Sequence, residues 1–512
     1  MVFGAFAYWL VGFGLSYGQP SNPFCGMGDF ALSGDPYSSV TSGLAYSQYI
    51  FQFSFAATAT TIVSGAVSMR MRFFIYCLYS FFAIIIYSFV AHWLWADDGW
   101  LLTLGVHDFA GGGPVHLLGG MNALVAIKMV GSRTGYFTSK AHRERFIPAS
   151  PASTLFGLFM LWWGWIGFNC GSTFGITGNR WIVASRAAII TINCTAGGGI
   201  ASMIYTQWKT RGKLVRPHHV VNGILGALVA SSPVCASVHP YDALIIGAVG
   251  SVVANLGNTA IKRLKLDDPV GAVGVHAFAA MWGIFAVGLF ADGDLPGNES
   301  MTGLFRGGGF RLLGVQVLEI VVIVAWSLVC AGSFFYTVGV IKSKNWRDPR
   351  RGLRVGVQVE MMGEDRVLHG VNQIYDQPDA MSIRFTSDEN ADVTGDDHEA
   401  GAKDGIEEDG VVPGESFHSH NSDRPAPALG GLMGKSTRFY FPASTREIPV
   451  RRRSSQGPDA GEDEFDNEAN ATSAIARPML SRGVMGISSR RHVPSHATAK
   501  NSTKNGDVEG GA

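Results

Sequence analysis

Residues Gly111–Val130 read GGGPVHLLGGMNALVAIKMV, and residues Pro269–Phe290 read PVGAVGVHAFAAMWGIFAVGLF. Each stretch is apolar and close to the roughly 20 residues that a helix needs to cross a bilayer core. Each also carries one histidine, His116 and His276, and each follows an acid: Asp108 for the first, Asp267 and Asp268 for the second. An ionisable side chain at that depth is expensive, and by default it marks a pathway or a relay. The two stretches have opposite flanking character, so the histidines approach mid-membrane from opposite faces, as an inverted repeat places them. Taken singly, either histidine reads as a satisfied core residue. Taken together, in mirrored contexts, they read as a pore.

The surrounding chain has the same character. Only 16% of the 512 residues are charged, 47% are hydrophobic, and glycine is abundant at 65. A soluble domain of this length carries far more charge. Hydropathy gives about ten spans, near 1–18, 47–68, 73–95, 114–131, 151–171, 181–205, 219–235, 242–261, 270–290 and 312–341. The expected class is therefore an all-α polytopic membrane protein. The expected organisation is a transmembrane domain over 1–341, a cytoplasmic segment over 342–375 and a disordered tail over 376–512, whose composition cannot bury enough apolar surface to fold alone. In that tail, Arg451–Ser455 reads RRRSS, a candidate site for a basic-directed kinase or an anionic lipid, although a solvated charge run explains it as well.

Basic residues fall in alternate loops: Arg70 and Arg72; Arg133, Lys140, Arg143 and Arg145; Lys209 to Arg216; Lys262 to Lys265; and from Lys342 onward. The positive-inside rule puts these loops, and both termini, in the cytoplasm. Asn298-Glu299-Ser300, a glycosylation sequon, then falls outside. Met1–Gly18 lacks a basic n-region and does not read as a cleavable leader. The six cysteines define no disulfide framework.

The local chemistry is specific. Asp108 precedes Gly111-Gly112-Gly113-Pro114, where a carboxylate can cap free N–H groups and meet the positive end of a helix dipole. A plain cap is thus a sufficient reading of Asp108. On spacing, His116 lies about two turns into the membrane, and an acid, a proline and a histidine recur in the second stretch. Two neutral imidazoles offer one donor and one acceptor to a small polar solute without fixing a charge. A catalytic zinc site needs three protein ligands, and no third partner is evident. Aromatic residues cluster near the far face: Trp95, Phe168 in WWGWIGFNCGS with Ser172 just beyond, and Phe51 and Phe55 in FQFSF. Such rings can bind a cation. An interfacial aromatic belt would account for them too.

These strings resemble the ammonium transporter (Amt/Mep/Rh) family, on its Amt side. DFAGGGPVHLLGG is similar to the family's first pore-histidine motif and DDPVGAVGVHAFAAMWG to its second. WWGWIGFNCGS resembles the segment with the inner gate phenylalanine and a recruitment serine, AHWLW the mouth tryptophan, and FQFSF the outer gate. The resemblance implies a homotrimer in the plasma membrane with one pore per subunit and no cofactor, metal or nucleic-acid partner. Ammonium would be recruited at Trp95, Phe51 and Ser172, aided by Asp108. It would lose its proton near a Phe55/Phe168 gate, and ammonia would cross beside His116 and His276. LRVGVQVEMMGEDRVLHGVNQIY at Leu353–Tyr375 resembles the family's regulatory segment, with Gly363, Asp365, His369, Gly370 and Tyr375 in place. Val367 stands where plant members carry a phosphorylatable threonine.

Three departures from the pattern carry expectations. The resemblance implies eleven spans, and this chain begins inside what corresponds to the second. Met69 replaces a usual glutamate before Arg70. Ala277 and Ala280 replace usual glycines, which should crowd neighbouring backbone. Two readings other than transport stay open, a non-conducting sensor and a fragment that does not assemble.

Overall fold

Proline at a first helical position needs no hydrogen-bond donor and has its φ preset for a helix. Pro151, Pro217 and Pro240 each open one of the long helices of this chain. Ser150 adds a side-chain cap by accepting from the Ser153 N–H. The computed structural model describes residues 1–33, 40–139, 146, 150–298 and 301–369. The chain divides into two units, Met1–Gln373 with Asn467–Ala512, and Ile374–Asp466, and every described residue belongs to the first.

Alongside shorter helical segments, ten longer helices form the bundle among the described residues. They are α1 (Val2–Tyr17), α2 (Val40–Val67), α3 (Phe73–Trp95), α4 (Gly112–Val130), α5 (Pro151–Gly171), α6 (Arg180–Thr210), α7 (Pro217–Val234), α8 (Pro240–Arg263), α9 (Val273–Phe290) and α10 (Arg311–Ser343). All or most of α2, α3, α4, α6, α8, α9 and α10 is long and apolar enough to cross a membrane. The described strands are a two-residue antiparallel pair that sets Ser21 against Gly26. Each span expected from hydropathy corresponds to one helix, with α2 beginning at Val40, seven residues early, and α7 and α8 two residues early, at their prolines. Lys140, Arg143 and Arg145 lie outside the described residues.

The helices bring two chemically different ends together. At the arginine end, Arg70 is fully buried, with Nε donating to Gly131 O at 2.8 Å and Nη2 to Asp267 O at 2.7 Å. It thereby holds the C-terminus of α4, where a cation meets the negative dipole end. Arg133 forms a two-pronged pair with Asp267, Nε to Oδ2 at 2.8 Å and Nη2 to Oδ1 at 2.9 Å. Leu353–Val355 are stitched to the residues after α2, through Arg72 N to Leu353 O and Val355 N to Arg70 O. At the aromatic end lie Phe51, Phe55, Trp95, Asp108, Phe168 and Ser172. Beside them a loop is tied down by His239–Asp292 at 2.8 Å and Arg306–Asp242 at 2.7 Å.

A candidate pore with paired histidines

The two histidine-bearing helices start alike. Asp108 Oδ1 accepts from the N–H groups of Gly111 and Gly112, both at 2.8 Å, and its Oδ2 accepts from Gly113 at 2.5 Å. Asp268 Oδ1 accepts from Gly271 at 3.0 Å and its Oδ2 from Val273 at 2.8 Å. Gly111 and Gly271 have φ of +86° and +75°, a region that L side chains rarely adopt. In each case the glycine follows its acid by three residues and the histidine by eight. The shared element is therefore acid, left-handed glycine, histidine. Proline is not part of it, because Pro114 sits inside the first turn whereas Pro269 precedes Gly271. Of the two acids before His276, Asp268 is the cap and Asp267 serves Arg133.

Both histidines occupy π-helical turns, Gly112–Leu117 and Val273–Phe278. His116 is the fifth residue of its turn, so it lies nearer the helix start than the expected two turns. Single π turns inside α-helices are frequent at functional sites. The turns meet where α4 crosses α9. A methyl group on Gly120 would stand 2.3 Å from Ala277 N, so only glycine lets the backbones approach there. Ala277 and Ala280 are both buried. The close approach at Gly120 is to the backbone of Ala277 and not to its methyl group.

The approach brings the rings together. His116 Nδ1 and His276 Nδ1 are 3.3 Å apart, with ring centroids at 5.4 Å and planes 21° apart. One ring must carry its proton on Nδ1 and the other must present a bare Nδ1. His116 is also braced from behind. Trp165 stacks on it at 4.9 Å, Trp165 Nε1 donates to Ser232 Oγ at 3.0 Å, and Ser232 Oγ lies 3.5 Å from His116 Nε2. Asn169 Nδ2 continues this polar wall, donating to Thr191 at 2.7 Å and Ser231 at 3.1 Å.

Next to the histidines the aromatic rings pack closely. Phe55 and Phe168 stack at 4.0 Å with planes 9° apart, which leaves no room for a solute between them. Phe168 in turn lies 5.7 Å from His116. Phe51 packs at 4.8 Å on Phe55, and Trp95 meets Phe55 edge-on at 5.6 Å. Trp95 Nε1 donates to Asp108 O at 2.8 Å. Ser172 is buried and its hydroxyl donates to Phe168 O at 3.1 Å, so its oxygen lone pairs remain available to an N–H donor. All eight residues expected around the pore are thus linked by direct contacts. The Asp108 carboxylate is turned onto backbone amides, as its reading as a cap expects.

Trp165, Ser232, Asn169 and Glu319 escaped the sequence reading. The last had a visible signal, a single acid within the apolar run LLGVQVLEIVVIVAW of α10. Asn298, expected as a glycosylation acceptor, is fully buried, and its amide donates to Asp292 O at 2.6 Å and Met301 O at 3.3 Å. A glycan cannot be placed there without opening this loop. Glu299 and Ser300 lie outside the described residues. Gly363 has φ of +91° and ends the helix Val357–Met362, which an L side chain would strain. Asp365 and His369 lie in the helix Glu364–His369, their side chains outside the described residues, as are Gly370 and Tyr375. Among the described residues no three of His, Cys, Asp and Glu are grouped to hold a metal ion.

Comparison with known proteins bears directly on this arrangement. The family model described as Ammonium Transporter Family matches residues 1–374. "Ammonium transporter 1 member 2" of Arabidopsis thaliana is 35% identical over 399 residues, spanning 72% of this chain and 74% of that protein. "Ammonium transporter 3" of Dictyostelium discoideum is 32% identical over 377 residues, spanning 72% and 82%. Among solved structures, one described as "Sensor Amt Protein" superposes with a TM-score of 0.62 at 30% identity, covering 72% of this chain and 87% of that one. Mep2 of Saccharomyces cerevisiae superposes with 0.60 at 26%, covering 70% and 78%. With these matches and a multi-pass apolar bundle, the chain belongs to the ammonium transporter family.

Proposed function

We propose that each subunit conducts ammonia derived from ammonium through the pore built around His116 and His276. The observation that carries this reading is the 3.3 Å contact between their Nδ1 atoms directly beneath the Phe55–Phe168 stack. Ammonium is recruited among Trp95, Phe51 and Ser172, where ring faces attract a cation and the serine oxygen accepts one of its N–H bonds. Asp108 contributes through the cap, by fixing the turn that carries His116 and the carbonyl that holds Trp95. The cation sheds a proton at the stack, and a ring swings aside for neutral ammonia. The released proton either returns to water at the mouth or passes along the imidazoles, which can hand it from Nδ1 to Nδ1.

Deprotonation supplies the selectivity. Potassium and sodium cannot lose their charge, and a dry apolar passage penalises an unpaired ion by several kcal/mol (on the order of 3 or more). The arginine end faces the cytoplasm of a plasma membrane, and three copies assemble, each with its own pore. The segment beyond Leu353 regulates transport. Its contact with the bundle supports that role: Glu360 accepts from Thr134 N at 2.6 Å and binds Arg354 at 2.7 Å.

The test is ammonium and methylammonium uptake, with current, in cells lacking their own transporters. Uptake that saturates and excludes potassium is expected. Correctly assembled surface protein that neither takes up ammonium nor carries current would reject transport in favour of a sensor.

A further inference from the structure

The apolar face of α10 is broken by Gln316 and Glu319, and both are fully buried. A carboxyl group removed from water needs a counter-charge or a proton. The described ion pairs use other carboxylates, those of Asp98, Asp242, Asp267, Asp292, Asp348 and Glu360. Gln316 is fully committed. Its Oε1 accepts from His107 N at 2.8 Å, and its Nε2 donates to His107 O at 2.9 Å and Glu319 Oε2 at 3.1 Å. The remaining oxygen, Glu319 Oε1, receives no N–H or O–H from a described residue. It is aimed at the start of α4: a methyl group on Gly113 would stand 2.2 Å from Glu319 Oε1 and 3.2 Å from Asp108 Oδ2. Asp108 is the acid with which Glu319 can share a hydrogen bond. Two carboxyl groups at such range in a dry environment cannot both be ionised, and they hold one proton as a unit.

We propose that Glu319 is a neutral carboxylic acid whose Oε1–H donates to Asp108 Oδ2, making it a positioning residue for the recruitment end of the pore. This rests on the transport reading above. The shared proton leaves one negative charge beneath Trp95 instead of two. It also completes the set of donors around the carboxylate that caps the His116 turn. One charge draws a cation toward the mouth, whereas two unneutralised charges would hold it there.

The test compares the full-length protein in lipid vesicles with Glu319→Gln and Glu319→Leu, by infrared spectroscopy and ammonium-driven current. At neutral pH, a protonated-carboxyl C=O stretch is expected in the unaltered protein and is expected to vanish in Glu319→Gln. No such band, or a band that survives in Glu319→Gln, overturns the proposal. The glutamine amide can replace the lost donor, so Glu319→Gln is expected to keep more than about half of the current, while Glu319→Leu loses it about fivefold or more. Equal currents in the two variants overturn the positioning role. If the leucine variant does not assemble, the infrared comparison of the unaltered protein with Glu319→Gln decides. The band does not depend on flux, so an unaltered protein with the band but no ammonium current rejects transport while supporting the shared proton.

Discussion

Asp108–His116 and Asp268–His276 lay the same backbone plan into opposite ends of one bundle: a capping acid, a left-handed glycine and a histidine in a π turn. Their surroundings diverge. The first entrance is roofed by Trp95, Phe55 and Phe168 and holds a second buried acid, Glu319. The second is framed by Arg70 and Arg133, with Asp267 clasped between them. Geometry is repeated while charge is not. The charge buried at the aromatic end is carboxyl alone, whereas that at the arginine end is a guanidinium–carboxylate cluster.

Several substitutions break or sharpen that contrast. The largest effect is expected from Arg133→Gln, which strands the buried Asp267 carboxylate and should cost about 3–5 kcal/mol. Thermal unfolding in detergent measures it, and an unshifted transition would show the pair to be expendable. Asp108→Ala removes an acceptor for three N–H groups and Asp268→Ala an acceptor for two. Losses of about 3 and about 2 kcal/mol are expected in the same assay, and the reverse order would mean that burial at the aromatic end matters less than argued.

For conduction, His116→Ala and His276→Ala should each lower ammonium-selective flux by about tenfold, roughly 1.4 kcal/mol. Wild-type flux and ion selectivity in both would remove the histidines from the pathway. Ser232→Ala, which frees Trp165 Nε1 and the back of His116, should cost only about 1 kcal/mol and should affect His116 without changing the cap at Asp268. Methylammonium uptake paired with an unfolding curve separates those contributions.

The smallest effect concerns the loop at the aromatic end. The Asp294 N–H, then His239, hold the Asp292 carboxyl below its ordinary value of 3.8. Its stabilising contribution is complete above that ordinary value and fades as pH falls through the lower folded one. Asp292→Asn should therefore flatten the acid limb of the stability profile by less than about 1 kcal/mol, since the pair is partly exposed. An unchanged limb would mean that Arg306 alone anchors the loop.

Much of this was legible in the chain because membrane helices advertise themselves. Apolar length marks each span, and proline marks three helix starts. The histidines stand out because little else near them ionises. What escaped depends on contacts between helices. Asp267 and Asp268 are neighbours in sequence, and only the arrival of Arg133 from the loop after α4 decides which acid caps and which pairs. Ser232 and Trp165 are unremarkable in their own helices and acquire meaning by converging on His116. The sequon at Asn298 satisfies a local pattern, yet the fold spends its amide on two carbonyls. The need for glycine at Gly120 comes from the backbone of Ala277, which lies far away in the chain.

The π turns also set a tolerance to insertion and deletion. Each holds one residue more than an α-helical turn would, and successive helical residues are rotated by about 100°. Removing a single residue from Gly112–Leu117 while keeping α4 anchored at Gly131 would restore ordinary winding and swing the His116 imidazole off the shared axis. Point substitutions elsewhere in α4, Gly120 apart, would leave its aim intact. The register of these two turns, more than the chemistry of their neighbours, is therefore what indels in related chains should avoid.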